Sequence, residues 1–281
     1  MRNIKVALLR TPILGCALLI PIRAKTALRY FYRPLSNLIV WLFKSRETTN
    51  FTYDLEENNK HYLASLIADI TNKDFSEILV YIKEVEEDKE LKQYVERMTR
   101  QSDMAFIADK DAHFGRRIGW YAFVRALKPK IVVETGVDKG LGACVLVSAL
   151  KKNKDEGYEG YYYGTDINPK AGYLLSENYS NYGEILYGDS IESLKQFDKV
   201  IDLFINDSDH LAEYEAKEYE TVATKLAKNA IILGDNAHCT NKLVEFALKT
   251  GRQFIFFQEK PFKHWYPGAG IGIAFKREKN V

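Results

Sequence analysis

The stretch Lys130-Ile131-Val132-Val133-Glu134-Thr135-Gly136-Val137-Asp138-Lys139-Gly140 decides the fold. Its Ile/Val run reads as a buried strand that carries Glu134 to its C-terminal edge. Gly136 lets the backbone turn sharply and keeps a side chain out of the space beyond the strand. Gly140 and Gly142 open an apolar helix, Ala143 to Leu150, whose first N–H groups have no partner within the helix and can meet a polar ligand. The dinucleotide fingerprint G-x-G-x-x-G does not fit, because an acidic residue precedes the first glycine and the glycines stand at 136, 140 and 142.

Outward from this loop, strands and helices alternate. Strands are expected at Tyr161 to Asp166, Ile185 to Gly188, Ile201 to Asn206 and Ala230 to Leu233, with Phe254 to Gln258 and Ile271 to Phe275 as a closing pair. Helices are expected from near Pro169, from Ser190, from Leu211 to Leu226 and from near Asn241 to Lys249. The alternation predicts an α/β fold: a Rossmann-like, doubly wound, seven-stranded sheet, mostly parallel with its last strand antiparallel. Such sheets bind ligands at the C-terminal ends of their strands. Those ends are polar here: Glu134, then Asp166, Asp189-Ser190, Asp207-Ser208-Asp209-His210 and Asp235-Asn236. A single Asp after a strand is commonly a helix N-cap, and Ser190 or Asp209 could serve only that purpose. Five acidic strand ends on one rim point to a ligand site.

On these residues, the region 130–276 resembles the class I S-adenosylmethionine (SAM) methyltransferases, whose loop pattern is acidic-x-Gly-x-x-x-Gly. The resemblance implies SAM as cofactor. Glu134, Gly136 and Gly140 would hold its methionine end, Asp166 its ribose hydroxyls, and Asp189 with Ser190 would lie near its adenine. The ends of strands four and five resemble the metal-dependent O-methyltransferases of the catechol and caffeoyl-coenzyme A type. That resemblance implies a Mg²⁺ held by Asp207, Asp235 and Asn236, three oxygen side chains of the kind an octahedral ion accepts. Those enzymes carry a lysine three residues after the first metal Asp, where this chain has His210. The sugar O-methyltransferases of antibiotic pathways use an Asp-x-Asp or a His nearby as base, and both Asp209 and His210 are present. His210 is the expected base, with Asp209 as the alternative. His238, His264, Trp265 and Tyr266 are expected to line an acceptor pocket, and Lys260 to Gly270 reads as a mobile loop or a wide hairpin connection.

Three regions are expected: a leader over 1–46, a helical cap over 47–112 and the SAM-binding domain over 113–281. The leader holds nine Lys/Arg and no Asp or Glu, which leaves 31 basic against 38 acidic residues in the body, a net of −7. That sign gives the main domain no nucleic-acid footprint. The leader's longest uncharged apolar stretch, Thr11 to Ile22, is too short to span a bilayer. A second apolar segment, Leu35 to Phe43, carries Trp41 between basic residues. Short apolar segments with basic and aromatic flanks suit a helix at a membrane surface, or else one docked on the protein or a partner subunit. In the cap, Asp74 reads as an N-cap with Glu77 reaching back to it. The cap either covers the active site or serves a packing or dimer contact. Arg116 and Arg117, at the head of an aromatic helix over 114–128, read as solvated surface residues rather than contacts to an anionic substrate. Three scattered cysteines form no disulfide framework or zinc pattern, which fits the cytoplasm, with the leader peripheral at the inner face of the membrane.

The expected activity is O-methylation of a small-molecule or glycan hydroxyl, with a homo-oligomer as the expected assembly. The rivals are a non-catalytic SAM-binding scaffold and an NAD-dependent oxidoreductase.

Overall fold

The computed structural model describes residues 9–277, with the side chain of Asn236 excepted. The chain forms two compact units. One comprises residues 1–45 with 263–267, and the other residues 46–262 with 268–281.

The second unit contains the sheet. Its strands are β1 (Ile131–Thr135), β2 (Tyr161–Asp166), β3 (Gly183–Tyr187), β4 (Ile201–Asn206), β5 (Leu226–Gly234), β6 (Gln253–Phe257) and β7 (Ile271–Phe275). They lie in the order β3-β2-β1-β4-β5-β7-β6. The first five are mutually parallel, and β7 runs antiparallel to both β5 and β6, as the pattern predicted. The order reverses beside β1, so a crevice opens at the C-terminal ends of β1, β2 and β4.

The sheet is covered on both faces, which is why its strands read as near-continuous apolar runs. On one face Val133, Phe204, Ile232 and Ala274 pack with Leu194, Tyr219, Leu243 and Phe246. These last four come from α7 (Ser190–Gln196), α8 (Ala212–Val222) and α9 (Lys242–Lys249). The other face meets α5 (Arg117–Leu127) and α6 (Leu141–Asp155), whose Trp120, Phe123, Val145 and Leu146 are fully buried. Before them come α2 (Glu57–Thr71), α3 (Phe75–Glu86) and α4 (Lys89–Gln101). Arg125 on α5 joins this helical region to the sheet domain, since its buried guanidinium donates to Glu84 on α3 at 3.2 Å and to Glu156 at 2.5 Å.

Two local expectations fail for identifiable reasons. No α-helix follows β2: residues 167–176 are turns and bends, and 177–182 form a 3-10 segment. Gly172 and Leu174 donate their N–H groups to the carbonyls of Asp138 and Lys139, at 2.6 and 3.0 Å, instead of to a helical turn. Asp74 stands at the N-cap of α3 but makes no side-chain capping bond, and Glu77 accepts from the Tyr81 hydroxyl at 2.7 Å instead.

In the first unit, the two apolar segments between Thr11 and Phe43 fall in a single helix, α1 (Pro12–Lys44), with Pro21 and Pro34 inside it. Only Gly15 is buried along its length. Asn37 donates to the His264 carbonyl at 3.3 Å, and the Trp41 ring meets Trp265 edge-on at 5.2 Å. His264, Trp265 and Tyr266, expected in the acceptor pocket, therefore pack in the leader's unit. Among the described residues no helix is long and apolar enough to cross a membrane.

Candidate functional site

Glu134, near the C-terminal end of β1, is buried and 1% exposed. The Tyr162 hydroxyl donates to it from β2 at 2.5 Å. Burial pushes its carboxyl up to about 7, with the Tyr162 hydrogen bond and the Arg117 charge opposing. Gly136 follows at φ +81°, and a Cβ there would run into the Asp207 carbonyl, so only glycine lets the ends of β1 and β4 approach this closely. Gly140 stands at the N-cap of α6 and provides no side-chain cap, so the first N–H groups of α6 stay available to a ligand.

Asp166 ends β2 and fastens the glycine loop. Its carboxylate accepts N–H bonds from Val137 at 3.0 Å, Asp138 at 2.9 Å and Asn168 at 2.8 Å. Three bonds leave capacity for about one more donor on its two oxygens.

Asp189 caps α7 through the Glu192 N–H at 3.0 Å and accepts from the Tyr214 hydroxyl at 3.0 Å. Ser190 is buried against Tyr214 and Glu218. Glu218 also accepts from Asn206 and Ser208. Burial raises its carboxyl above the ordinary range, against these hydrogen bonds. This network, which sequence reasoning missed, braces the end of β4 from beneath.

The ends of β4 and β5 do converge. Asp207 and Asp235 lie within hydrogen-bonding reach of each other. Burial and the neighbouring Asp235 charge push the Asp207 carboxyl well above its usual value. Burial alone would raise Asp235 too, but the Arg116 guanidinium outweighs it and holds that carboxyl below the ordinary range. Arg116 donates to both oxygens of Asp235 and lies 3.5 Å from Glu259. Glu259 is buried and accepts from the Tyr53 hydroxyl and the Ala269 N–H, each at 2.7 Å. Arg117 lies 3.9 Å from Asp207 and over the Trp120 ring. Arg116 and Arg117 are therefore part-buried members of the site, not solvated surface residues.

This donor set does not fit the expected Mg²⁺. Both Asp235 oxygens accept from the Arg116 fork, so an ion would have to share that carboxylate with a guanidinium already bound to it, at the cost of charge repulsion in a largely buried place. Among the described residues no three His, Cys, Asp or Glu side chains gather in a way that could hold a metal. The side chain of Asn236, the third expected ligand, lies outside the described residues.

Asp209 and His210 are both exposed between β4 and α8. Asp209 accepts from the Leu211 N–H at 3.0 Å, forming an Asx turn at the head of that helix. His238 sits just after β5, its Nδ1 3.0 Å from the Asp235 carbonyl.

Residues 133–237 match the family model described as a methyltransferase domain. The match spans the glycine loop and β1 to β5, the region that the sequence comparison with methyltransferases rests on. Similar solved structures include a methyltransferase from Geobacter sulfurreducens, 18% identical, with 66% of this chain and 90% of that chain covered at a TM-score of 0.49. An O-methyltransferase from Bacillus cereus in complex with SAH is 13% identical, with 66% and 91% covered at 0.48. The O-methyltransferase TomG from Streptomyces achromogenes, involved in tomaymycin synthesis and solved with SAM, is 12% identical, with 67% and 90% covered at 0.46. No curated protein sequence matches this chain.

Proposed function

We propose that the protein transfers the methyl group of SAM to a hydroxyl oxygen of a small molecule or glycan. The observation that carries this reading is Glu134, a buried carboxyl at the switch point of a methyltransferase-type sheet, set beside an uncapped helix N-terminus. Bound SAM would supply a methyl group on a sulfonium, open to in-line displacement. An ionised Glu134 suits its ammonium, and the α6 N–H groups suit its carboxylate. Asp166 keeps the loop in shape through its three N–H bonds and has room for one ribose hydroxyl.

The acceptor hydroxyl must lose its proton as the new C–O bond forms. His210 is the base assigned here, with Asp209 as the alternative. Imidazole transfers protons efficiently near neutral pH, and both groups lie at the same rim as Asp207. Magnesium assistance, implied by the resemblance, has no part in this reading because Arg116 occupies Asp235.

The leader adds a location. Helix α1 carries Arg23, Lys25, Arg29, Arg33 and Lys44, has no acidic residue, and exposes Ile13, Leu18, Leu28, Phe31 and Phe43 among its apolar side chains. That combination suits an anionic membrane surface and favours a membrane-linked acceptor.

Calorimetry with SAH tests the cofactor assignment. Binding is expected in the micromolar range, and Asp166→Ala should weaken it at least tenfold through collapse of the loop. Heat with NADH and none with SAH would overturn the reading. Transfer of labelled methyl from SAM to acceptors in an extract separates an enzyme from a scaffold, which would bind SAH and label nothing.

A further inference from the structure

Arg116 has a surrounding that the methyl-transfer reading does not require. Its side chain is 12% exposed, and those of Asp235 and Glu259 are 4% and 0% exposed. Buried carboxylates are stable only when paired and hydrogen-bonded. Here each carboxylate already has a guanidinium beside it, while Glu259 Oε2 and Arg117 Nε make no hydrogen bond. Arg116 forks onto Asp235 and reaches Glu259, while Arg117 faces Asp207. Asp207 and Asp235 lie within hydrogen-bonding reach of each other.

We infer that Arg116 is the resident cation of this rim: its guanidinium holds the Asp235 oxygens that a divalent ion would otherwise need, and the working site holds no magnesium. The inference rests on the methyltransferase reading only in taking this rim as the acceptor side. Guanidinium stays charged at every working pH, so it cannot be titrated out of the way. Mg²⁺ demands near-ideal octahedral oxygen geometry at about 2.1 Å and gives up its waters reluctantly. To bind here it would have to share Asp235 with Arg116 or displace it, which sets its own two positive charges beside a third in a largely buried place. Arg116 is thus a positioning residue. It fixes Asp235 directly and, through Glu259, holds Tyr53 and the Ala269 backbone.

Mn²⁺, a paramagnetic stand-in for Mg²⁺, tests this directly. The full chain, saturated with SAH, is titrated with Mn²⁺ while the free-ion resonance is followed. Wild type should leave that signal undiminished through the submillimolar range. Arg116→Ala should uncover the carboxylates and bind Mn²⁺ at least tenfold more tightly than wild type, and a further Asp235→Asn should remove the gain. Arg116→Lys, which keeps the charge, should gain nothing. Submillimolar Mn²⁺ binding by wild type that disappears in Asp235→Asn would overturn the inference. So would a folded Arg116→Ala protein that binds Mn²⁺ no better than wild type. If Arg116→Ala does not fold, the comparison of wild type with Asp235→Asn still decides. Failure of the methyltransferase reading shows separately, as absence of SAH heat, because Mn²⁺ occupancy is read without turnover.

Discussion

Glu134 packs its Oε1 into the space that a side chain at position 142 would need. The carboxyl from β1 and the first turn of α6 touch only because residue 142 has no Cβ. The ring of Trp120 closes the same space, 2.8 Å from where that Cβ would lie. Gly142→Ala should therefore displace Glu134 and lower stability by about 1–3 kcal/mol, the usual range for overpacking a dense interior. SAH affinity should fall at least tenfold while the far-ultraviolet spectrum keeps its native form. Unchanged affinity in calorimetry would remove Glu134 from the cofactor site.

The Glu134 carboxyl also predicts a pH dependence. Its folded pKa, about 7, lies above its unfolded value near 4.5. Between those values the native state holds the proton and the unfolded state does not. This group's contribution to stability is therefore present in full below the unfolded pKa and declines as pH rises towards 7. Cofactor binding runs the other way, since the ionised carboxylate is the form that suits an ammonium. SAH affinity should rise through pH 6 to 8, and Glu134→Gln should bind weakly with that rise abolished. A wild-type profile that is flat over this interval would contradict the assignment.

Glu218 anchors the end of β4 from within. It accepts from Ser190, Asn206 and Ser208, so Glu218→Ala would leave buried donors without their acceptor. The expected loss is about 2–4 kcal/mol, read by denaturant titration. Glu218→Gln keeps an acceptor oxygen and the volume, so it should cost about half as much. Equal losses from the two substitutions would mean that volume rather than hydrogen bonding governs the site.

The parts of the fold legible in sequence were those where local pattern and tertiary demand agree. Tyr161–Asp166, Ile201–Asn206 and Ile271–Phe275 are strands whose apolar runs announce burial on two faces. The convergence of Asp207 and Asp235 followed from strand order alone. The missing helix after β2 was illegible because Pro169 is a sound local start, while the competing bonds from Gly172 and Leu174 are made to the glycine loop. Arg116 was misread for a related reason. Two adjacent arginines look solvated until the fold brings up Asp235, 119 positions away, and Glu259, 143 positions away. Asp189 illustrates the opposite case, in which a residue placed beside the adenine by resemblance also does the ordinary work of capping a helix.

The leader helix yields the last prediction. Arg23, Lys25, Arg29 and Arg33 fall within about three turns of α1, and Leu28, Tyr30, Phe31 and Tyr32 lie exposed among them. Each basic residue near an anionic surface contributes about 1 kcal/mol, so exchanging Arg23, Arg29 and Arg33 for Ser should weaken vesicle binding roughly 100-fold. Binding of the wild type should require anionic lipid and should weaken as salt shortens the reach of the charges. Replacing Leu28 and Phe31 with Ser should also weaken binding, but by an amount that salt does not change, because area removed from water is not screened. Co-sedimentation with vesicles of phosphatidylcholine, with and without phosphatidylserine, measures each effect. A wild-type chain that remains in the supernatant with anionic vesicles at low salt would refute the membrane assignment. It would leave the exposed apolar side chains of α1 to a protein partner.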